Sequence, residues 1–238
     1  MLVSKSTFLR RVLVATACVG LIAVGVSKVS ATQPATVVVE GFAGSNSQVN
    51  LNVNHAGSGS SYLSGSADQG GQVSGNMQST AAHGGYVDNR MDLQSIGGSV
   101  NGVSVAEAVG PGAVAQTRGL AGSYAGQADL QLINRSLMGG VSMLQGSSLS
   151  SGGVSTVRGQ NFASFGTVNS SLYGLSYGPE VILNAHGQAM GQTGGTGHLQ
   201  LSGTAIGGCF PAMTSIQASS VGYGGGQSWV SANSQMIH

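Results

Sequence analysis

From Val49 to Asn54 apolar and polar side chains alternate without a break, with Val49, Leu51 and Val53 set against Asn50, Asn52 and Asn54. A period of two is the period of a strand, so this stretch predicts a β-strand with an aliphatic face and an asparagine face. Stacked in register, such asparagines can form ladders. Shorter pieces of the same pattern recur. Val103 and Val105 flank Ser104, Leu130-Gln131-Leu132 and Leu199-Gln200-Leu201 share an LQL core, and Leu93-Gln94 is a shorter echo. Val37-Val38-Val39 predicts a strand-like arm after Thr32.

Further echoes point to degenerate internal duplication. Val181–Gly187 loosely repeats Leu51–Gly57, and Gln116-Thr117-Arg118-Gly119 resembles Gln192-Thr193-Gly194-Gly195. The steps from Leu93 to Leu130 and from Leu130 to Leu199 are near one and two units of about 35 residues, a period that Leu51 does not fit. Glycine pairs, such as Gly70-Gly71, Gly97-Gly98 and Gly152-Gly153, fall between the strands as sites of tight reversal. The expected architecture is therefore all-β: a Gly/Ser-rich β-solenoid of short strands, or a stack of β-hairpins. A lipid-spanning barrel fits less well, because the strands are short and aromatic girdles are missing.

The N-terminus follows another pattern. Lys5, Arg10 and Arg11 precede an uncharged run from Val12 to Val26, and Val29-Ser30-Ala31 places small residues where a signal peptidase cuts. Residues 1–31 are expected to be a helical, cleavable signal peptide, with Ala31 and Thr32 at the junction. The run is shorter than the roughly 20 apolar residues of a membrane span. An uncleaved anchor, lipidation at Cys18 and a twin-arginine signal at Arg10-Arg11 rank behind this reading. Residues 32–238 form the expected mature domain, a single unit.

Removal of the signal changes the charge. The whole chain has a formal net charge of +1, but after residue 31 only Arg90, Arg118, Arg135 and Arg158 stand against all 7 acidic side chains. So sparse a charge excludes a phosphate-neutralising surface, and with it a nucleic-acid partner. It also removes the repulsion that keeps monomers apart. With 41 glycines, helices are disfavoured throughout. Cys209 would be the lone mature cysteine, either buried or available for an intermolecular disulfide. The composition is similar to that of secreted amyloid subunits of the curlin type, but the Q-x-G-x-x-N-x-A core of that family does not occur.

Candidate chemistry is thin. Gly174-Leu175-Ser176-Tyr177-Gly178 matches a nucleophile elbow, yet strand-like residues follow it where a helix is required. His186, His198 and Cys209 could converge only by folding, and no metal-ligand spacing is present. Asp88, Arg90 and Asp92 would share one strand face. Asn134 and Asn169 begin glycosylation sequons. No catalytic residue, cofactor or metal is expected.

The leading expectation is a secreted structural or adhesive protein of the cell surface or matrix, self-assembling through strand stacking. Val49, Leu51, Val53, Leu130, Leu132, Leu199 and Leu201 mark the strands expected to carry that association. The alternative is a monomeric extracellular β-domain that binds a surface glycan through Tyr62, Tyr86, Tyr173, Tyr177 and Trp229. A hydrolase built on Ser176 ranks last.

Overall fold

The structure, a computed structural model, describes residues 35–82, 85–207 and 211–237, and the backbone of residues 12–18 and 23–30. The described strands are β1 (Val12–Cys18), β2 (Ala23–Ser30), β3 (Ala35–Ala43), β4 (Gln48–Ala56), β5 (Gly59–Ala67), β6 (Gln72–Ala81) and β7 (Tyr86–Ile96). They continue as β8 (Ser99–Val109), β9 (Val114–Tyr124), β10 (Gln127–Leu137), β11 (Val141–Ser151) and β12 (Val154–Ser164). The last are β13 (Thr167–Tyr177), β14 (Val181–Gln192), β15 (Thr196–Ile206), β16 (Ala212–Tyr223) and β17 (Gln227–Ile237). Apart from the backbone of β1 and β2, the expected signal segment, its helix and the Ala31–Thr32 junction lie outside the described residues.

Odd-numbered strands form one sheet, in the order β1-β3-β5-β7-β9-β11-β13-β15-β17, and even-numbered strands form the other. Every described pairing is parallel. Parallel neighbours need a long connection. Here the connection is a strand of the opposite sheet, so the chain winds as a flattened two-sheet β-solenoid. Stacked hairpins and an antiparallel barrel are thereby excluded. The glycine pairs make corners between sheets rather than hairpin reversals.

The repeat is a coil, and it is shorter than the 35-residue spacing expected. Gln48 pairs with Gln72, Gln72 with Ser99, Ser99 with Gln127 and Gln127 with Val154, steps of 24, 27, 28 and 27 residues. The LQL echoes are not equivalent positions. Leu93 and Leu199 stand in the odd sheet and Leu130 in the even sheet. Leu51 aligns down its ladder with Gly75, Gly102, Leu130, Val157 and Ala185, not with Val181. Gln116 lies within β9, whereas Gln192 ends β14.

Each strand turns alternate residues inward, as the period-two pattern requires. Val49, Leu51, Val53, Leu130, Leu132, Leu199 and Leu201 are all buried between the sheets. The gap between the sheets is filled by a large side chain from one sheet over a glycine of the other. A methyl group on Gly75 would stand 2.8 Å from Leu63, and one on Gly102 would stand 2.7 Å from Met91. Further along, the roles reverse. Gly119 and Gly146 of the odd sheet face Leu130 and Leu132 of the even sheet, and a methyl on Gly146 would lie 2.7 Å from Leu132.

Buried polar side chains bridge the sheets at intervals. Ser79 donates to Asn89 Oδ1 at 2.6 Å, and Thr117 donates to Asn134 Oδ1 at 2.6 Å. Asn134 Nδ2 in turn donates to the Met143 carbonyl at 2.6 Å. Asn161 accepts from Ser142 at 3.0 Å and donates to Ser170 at 2.7 Å. Each of these asparagines therefore uses both ends of its amide, as a buried polar group must.

The corners repeat a second device. Ser95, Ser123, Ser150 and Ser176 each donate to a glycine carbonyl of the preceding coil, namely Gly71, Gly98, Gly126 and Gly153. The residue after the next one down the chain holds a left-handed φ: Gly97 at 68°, Ala125 at 56°, Gly152 at 70° and Gly178 at 113°. Alanine is strained in that conformation, by about 1–2 kcal/mol.

Two stability predictions follow from this packing. Gly102→Val forces Met91 and Leu130 aside and should lower unfolding stability by about 1–3 kcal/mol, the usual cost of overpacking. Ala125→Gly relieves the one alanine among these corners and should raise stability by a few tenths to about 1 kcal/mol. Chemical denaturation monitored by far-ultraviolet circular dichroism measures both.

Candidate interaction surfaces

Because alternate side chains of both sheets point outward, the solenoid has two broad outer faces, and the sequence makes them different. The even-sheet face carries columns of amides and hydroxyls. Gln48 lies beside Gln72, whose side chains are hydrogen-bonded at 3.2 Å, and Asn50, Ser74 and Asn101 follow one another in register. Asn52 and Asn76 stand side by side in the next column. The asparagine face expected from the Val49–Asn54 alternation is thus the outer surface of the even sheet.

The odd-sheet face carries most of the aromatics, Tyr223 and Phe162 of the even sheet apart. Tyr62, Tyr86, Tyr124, Tyr173, Tyr177 and Trp229 all project from it, on β5, β7, β9, β13 and β17. Period two along each strand and parallel register between strands bring these scattered residues to one plane. Toward one margin, Ile96, Tyr124, Ser151, Tyr177, Ile206 and Ile237 form a single column. Leu149 and Leu175 stand in the neighbouring column.

Asp88, Arg90 and Asp92 share the outward face of β7, as their alternation predicts. Arg90 lies beside Arg118 in the register and 5.8 Å from the centre of the Tyr62 ring. Tyr86, at the head of the same strand, has its pKa raised above the ordinary value by burial and by the neighbouring Asp88 carboxylate. The even sheet holds one described ion pair, Arg135 with Glu107 at 3.8 Å, on a partly exposed surface where such a pair adds little.

The remaining candidates separate. Ser176 is buried, sits within a strand, and gives its hydroxyl to the Gly153 carbonyl at 3.0 Å, so its role is that of a corner serine. His186 faces outward on the even sheet beside Gln217, at 3.1 Å, while His198 faces outward on the odd sheet. The two histidines are on opposite faces, and Cys209 lies outside the described residues. Among the described residues no cluster of three His, Cys, Asp or Glu side chains could hold a metal ion, and no helix is long and apolar enough to cross a membrane. Of the two sequon asparagines, Asn134 is buried with both amide ends engaged, whereas Asn169 faces outward.

The strands expected to carry association occupy particular places in the ladder. β10 and β15 are hydrogen-bonded on both edges, as is β4 between β2 and β6. Their aliphatic side chains face the core. The two sheets end on β1 and β2 at one edge and on β17 and β16 at the other, beyond which no further strand is described. At the β16–β17 edge the inward register continues without cover: Val230, in line with Leu199, is 47% exposed, and Met236, in line with Ala205, is 49% exposed. Ile216 and Ala218 of β16 pack only partly against the core. In the sequence the one signal that marks these residues is the absence of any Asp, Glu, Lys or Arg from Val181 to Ile237.

Comparison with known proteins gives no significant match to family models, curated proteins or solved structures. The functional reading therefore rests on the geometry of this chain.

One buried ionisable group gives a pH prediction. His55 is enclosed, with Nδ1 3.0 Å from Ser61 Oγ and Nε2 unpartnered. Burial lowers its pKa from the ordinary 6.5, so the folded chain holds it neutral. The unfolded chain takes up the proton first as pH falls. The stabilisation is complete above pH 6.5 and is lost below it, down through the folded pKa. The denaturation midpoint of the full chain should drop across this window, and His55→Gln should flatten that part of the profile.

Proposed function

We propose that the chain is an exported structural or adhesive subunit of the cell surface or extracellular matrix, assembling into fibres by end-to-end stacking of solenoid coils. The observation that carries this reading is the coil β16–β17, beyond which no further strand is described. Its backbone edge has unpaired donors and acceptors, its inward Val230 and Met236 are half exposed, and its neighbourhood is free of charge. Solenoids that stay monomeric use a polar terminal cap, and sheet edges that stay single use charge, proline or a bulge. From β16 to β17 this chain supplies none of these, since its Pro211 precedes the strands.

A second copy offers the matching surface. Processing between Ala31 and Thr32 leaves β3 and β4 as the first coil, with Val37, Val39, Val49, Leu51 and Val53 turned toward the axis. β17 stacking on β3, and β16 on β4, would extend both ladders in the same parallel sense. In such a stack Val49, Leu51 and Val53 act at the junction, while Leu130, Leu132, Leu199 and Leu201 hold the subunit itself together.

The test is direct. The secreted chain beginning at Thr32, concentrated at neutral pH, should form filaments visible by electron microscopy, with a ~4.7–4.8 Å reflection along the fibre axis. Val230→Arg combined with Ala232→Asp places charges on the open coil and should leave soluble monomers in sedimentation, with the β-type circular dichroism retained. A parent chain that stays monomeric when concentrated overturns the proposal, as does a charged variant that assembles at the parent rate.

A further inference from the structure

We propose that the outer face of the odd sheet binds a neutral, linear polysaccharide along a trough beside Trp229. The trough has a volume of about 570 Å³ and lies between two outward columns. One column runs through Asn169, His198 and Trp229, the other through Gln145, Ser171 and Gln200. Most of the trough, through Gln145, Asn169, Ser171, His198 and Gln200, lies on the outward face of inner strands, while its last wall is β17, where Val230 also belongs to the coil edge.

Three observations select the ligand. The first is an aromatic slab. The rings of His198 and Trp229 are stacked with centroids 4.4 Å apart and planes 12° from parallel, and Trp229 is 48% exposed. A flat, partly hydrated aromatic surface suits a ligand with an apolar face and polar rim, which is the character of a pyranose ring. The second is the amide wall. The side-chain amides of Gln145, Asn169 and Gln200 face outward along the trough, where their donors and acceptors can meet ring hydroxyls. A purely apolar ligand, such as an acyl chain, would leave them unpaired at a cost.

The third observation is charge. No Asp, Glu, Lys or Arg lines the trough. A sulfated or uronate-rich polymer would bring anions to a lining with no counter-charge, since Arg118 and Arg90 continue the Gln145 column only beyond the trough, so the ligand that fits the trough itself is neutral. The columns repeat at the strand spacing of ~4.8 Å along the solenoid axis. Gln145, Ser171 and Gln200 offer a linear ligand one polar side chain per strand over three successive strands of the odd sheet, before the column passes to Arg118.

Trp229 is the sole tryptophan of the chain, so its fluorescence reports on this place alone. The full secreted chain is titrated with soluble neutral β-linked oligosaccharides, a glucose hexamer and an N-acetylglucosamine hexamer, and with an anionic polysaccharide for comparison. A saturable shift in Trp229 emission with a neutral hexamer is expected. Trp229→Ala should weaken binding about tenfold or more by calorimetry, as loss of an aromatic anchor does. Trp229→Phe should retain part of the affinity, Gln145→Ala with Gln200→Ala should lose most of it, and Tyr86→Ala should change nothing.

Filament formation is scored in parallel. Normal filaments in Trp229→Ala alongside lost sugar binding separate this proposal from the fibre reading. Absence of a shift with both neutral hexamers, binding of the polyanion alone, or unchanged affinity in Trp229→Ala would each overturn it.

Discussion

The structure depends on how closely its two sheets approach. A leucine or methionine from one sheet occupies the space that a Cβ would need on the other, so the interior is about one large side chain thick. Met91 over Gly102 and Leu132 over Gly146 are the same contact with the sheets exchanged. Burying a leucine in such a site stabilises by about 1.5–3 kcal/mol, and dispersion contacts reward the absence of voids. The glycines are therefore not merely loop formers. Inward glycines such as Gly75, Gly102, Gly119 and Gly146 are the holes that let leucine knobs pack without pushing the sheets apart.

Thin packing also sets what the corners must do. A coil has to pass from one sheet to the other within a few residues, and at the same lateral position as the coil below. The serine-to-glycine bonds, from Ser95 to Gly71 through Ser176 to Gly153, tie each corner to its predecessor. Gly98, Gly126 and Gly153 lie against the backbone carbonyls of Gly71, Gly98 and Gly126, where any side chain would collide. The result is a register that persists through coils of unequal length, because the corners change little while the strands lengthen, from 9 residues each in β4 and β5 to 11 each in β8 and β9.

Much of the local structure was legible in the sequence. The alternation at Val49–Asn54, the outward Asp88-Arg90-Asp92 face and the all-β, closely stacked architecture all follow from period two and the abundance of glycine. The coil length was not legible, and the packing explains why. Selection acts on the sum of two facing volumes, so a ladder column can read Leu51, Gly75, Gly102, Leu130 without violating the fold. Identity at one column does not repeat, and the LQL echoes misled because they fell in different columns. The interior asparagines were also hidden: Asn89 stands between Asp88 and Arg90 and Asn161 between Gln160 and Phe162, and only the opposite sheet supplies their partners. The aromatic face was present as a set of residues, but its assembly into one plane required the register.

The chemistry that joins coils inside the chain is the same chemistry that would join chains end to end. Within the protomer, β15 and β17 pair along their whole length through backbone bonds and inward apolar side chains. The next coil outward would meet β17 through that same pattern. What distinguishes the two cases is the connection: an intramolecular coil is tethered, while a second molecule must give up translational and rotational freedom, at an estimated 4–15 kcal/mol or more. Covering Val230, Met236, Ile216 and Ala218 opposes that cost, and the absence of charged side chains in the last strands removes the electrostatic term that would add to it. By contrast, the coils that contain Asp88, Arg90, Asp92 and Glu107 keep their charges on the outer faces, away from the axis. The sparse charge of this chain is thus placed where it limits contact between faces and leaves contact along the axis unopposed.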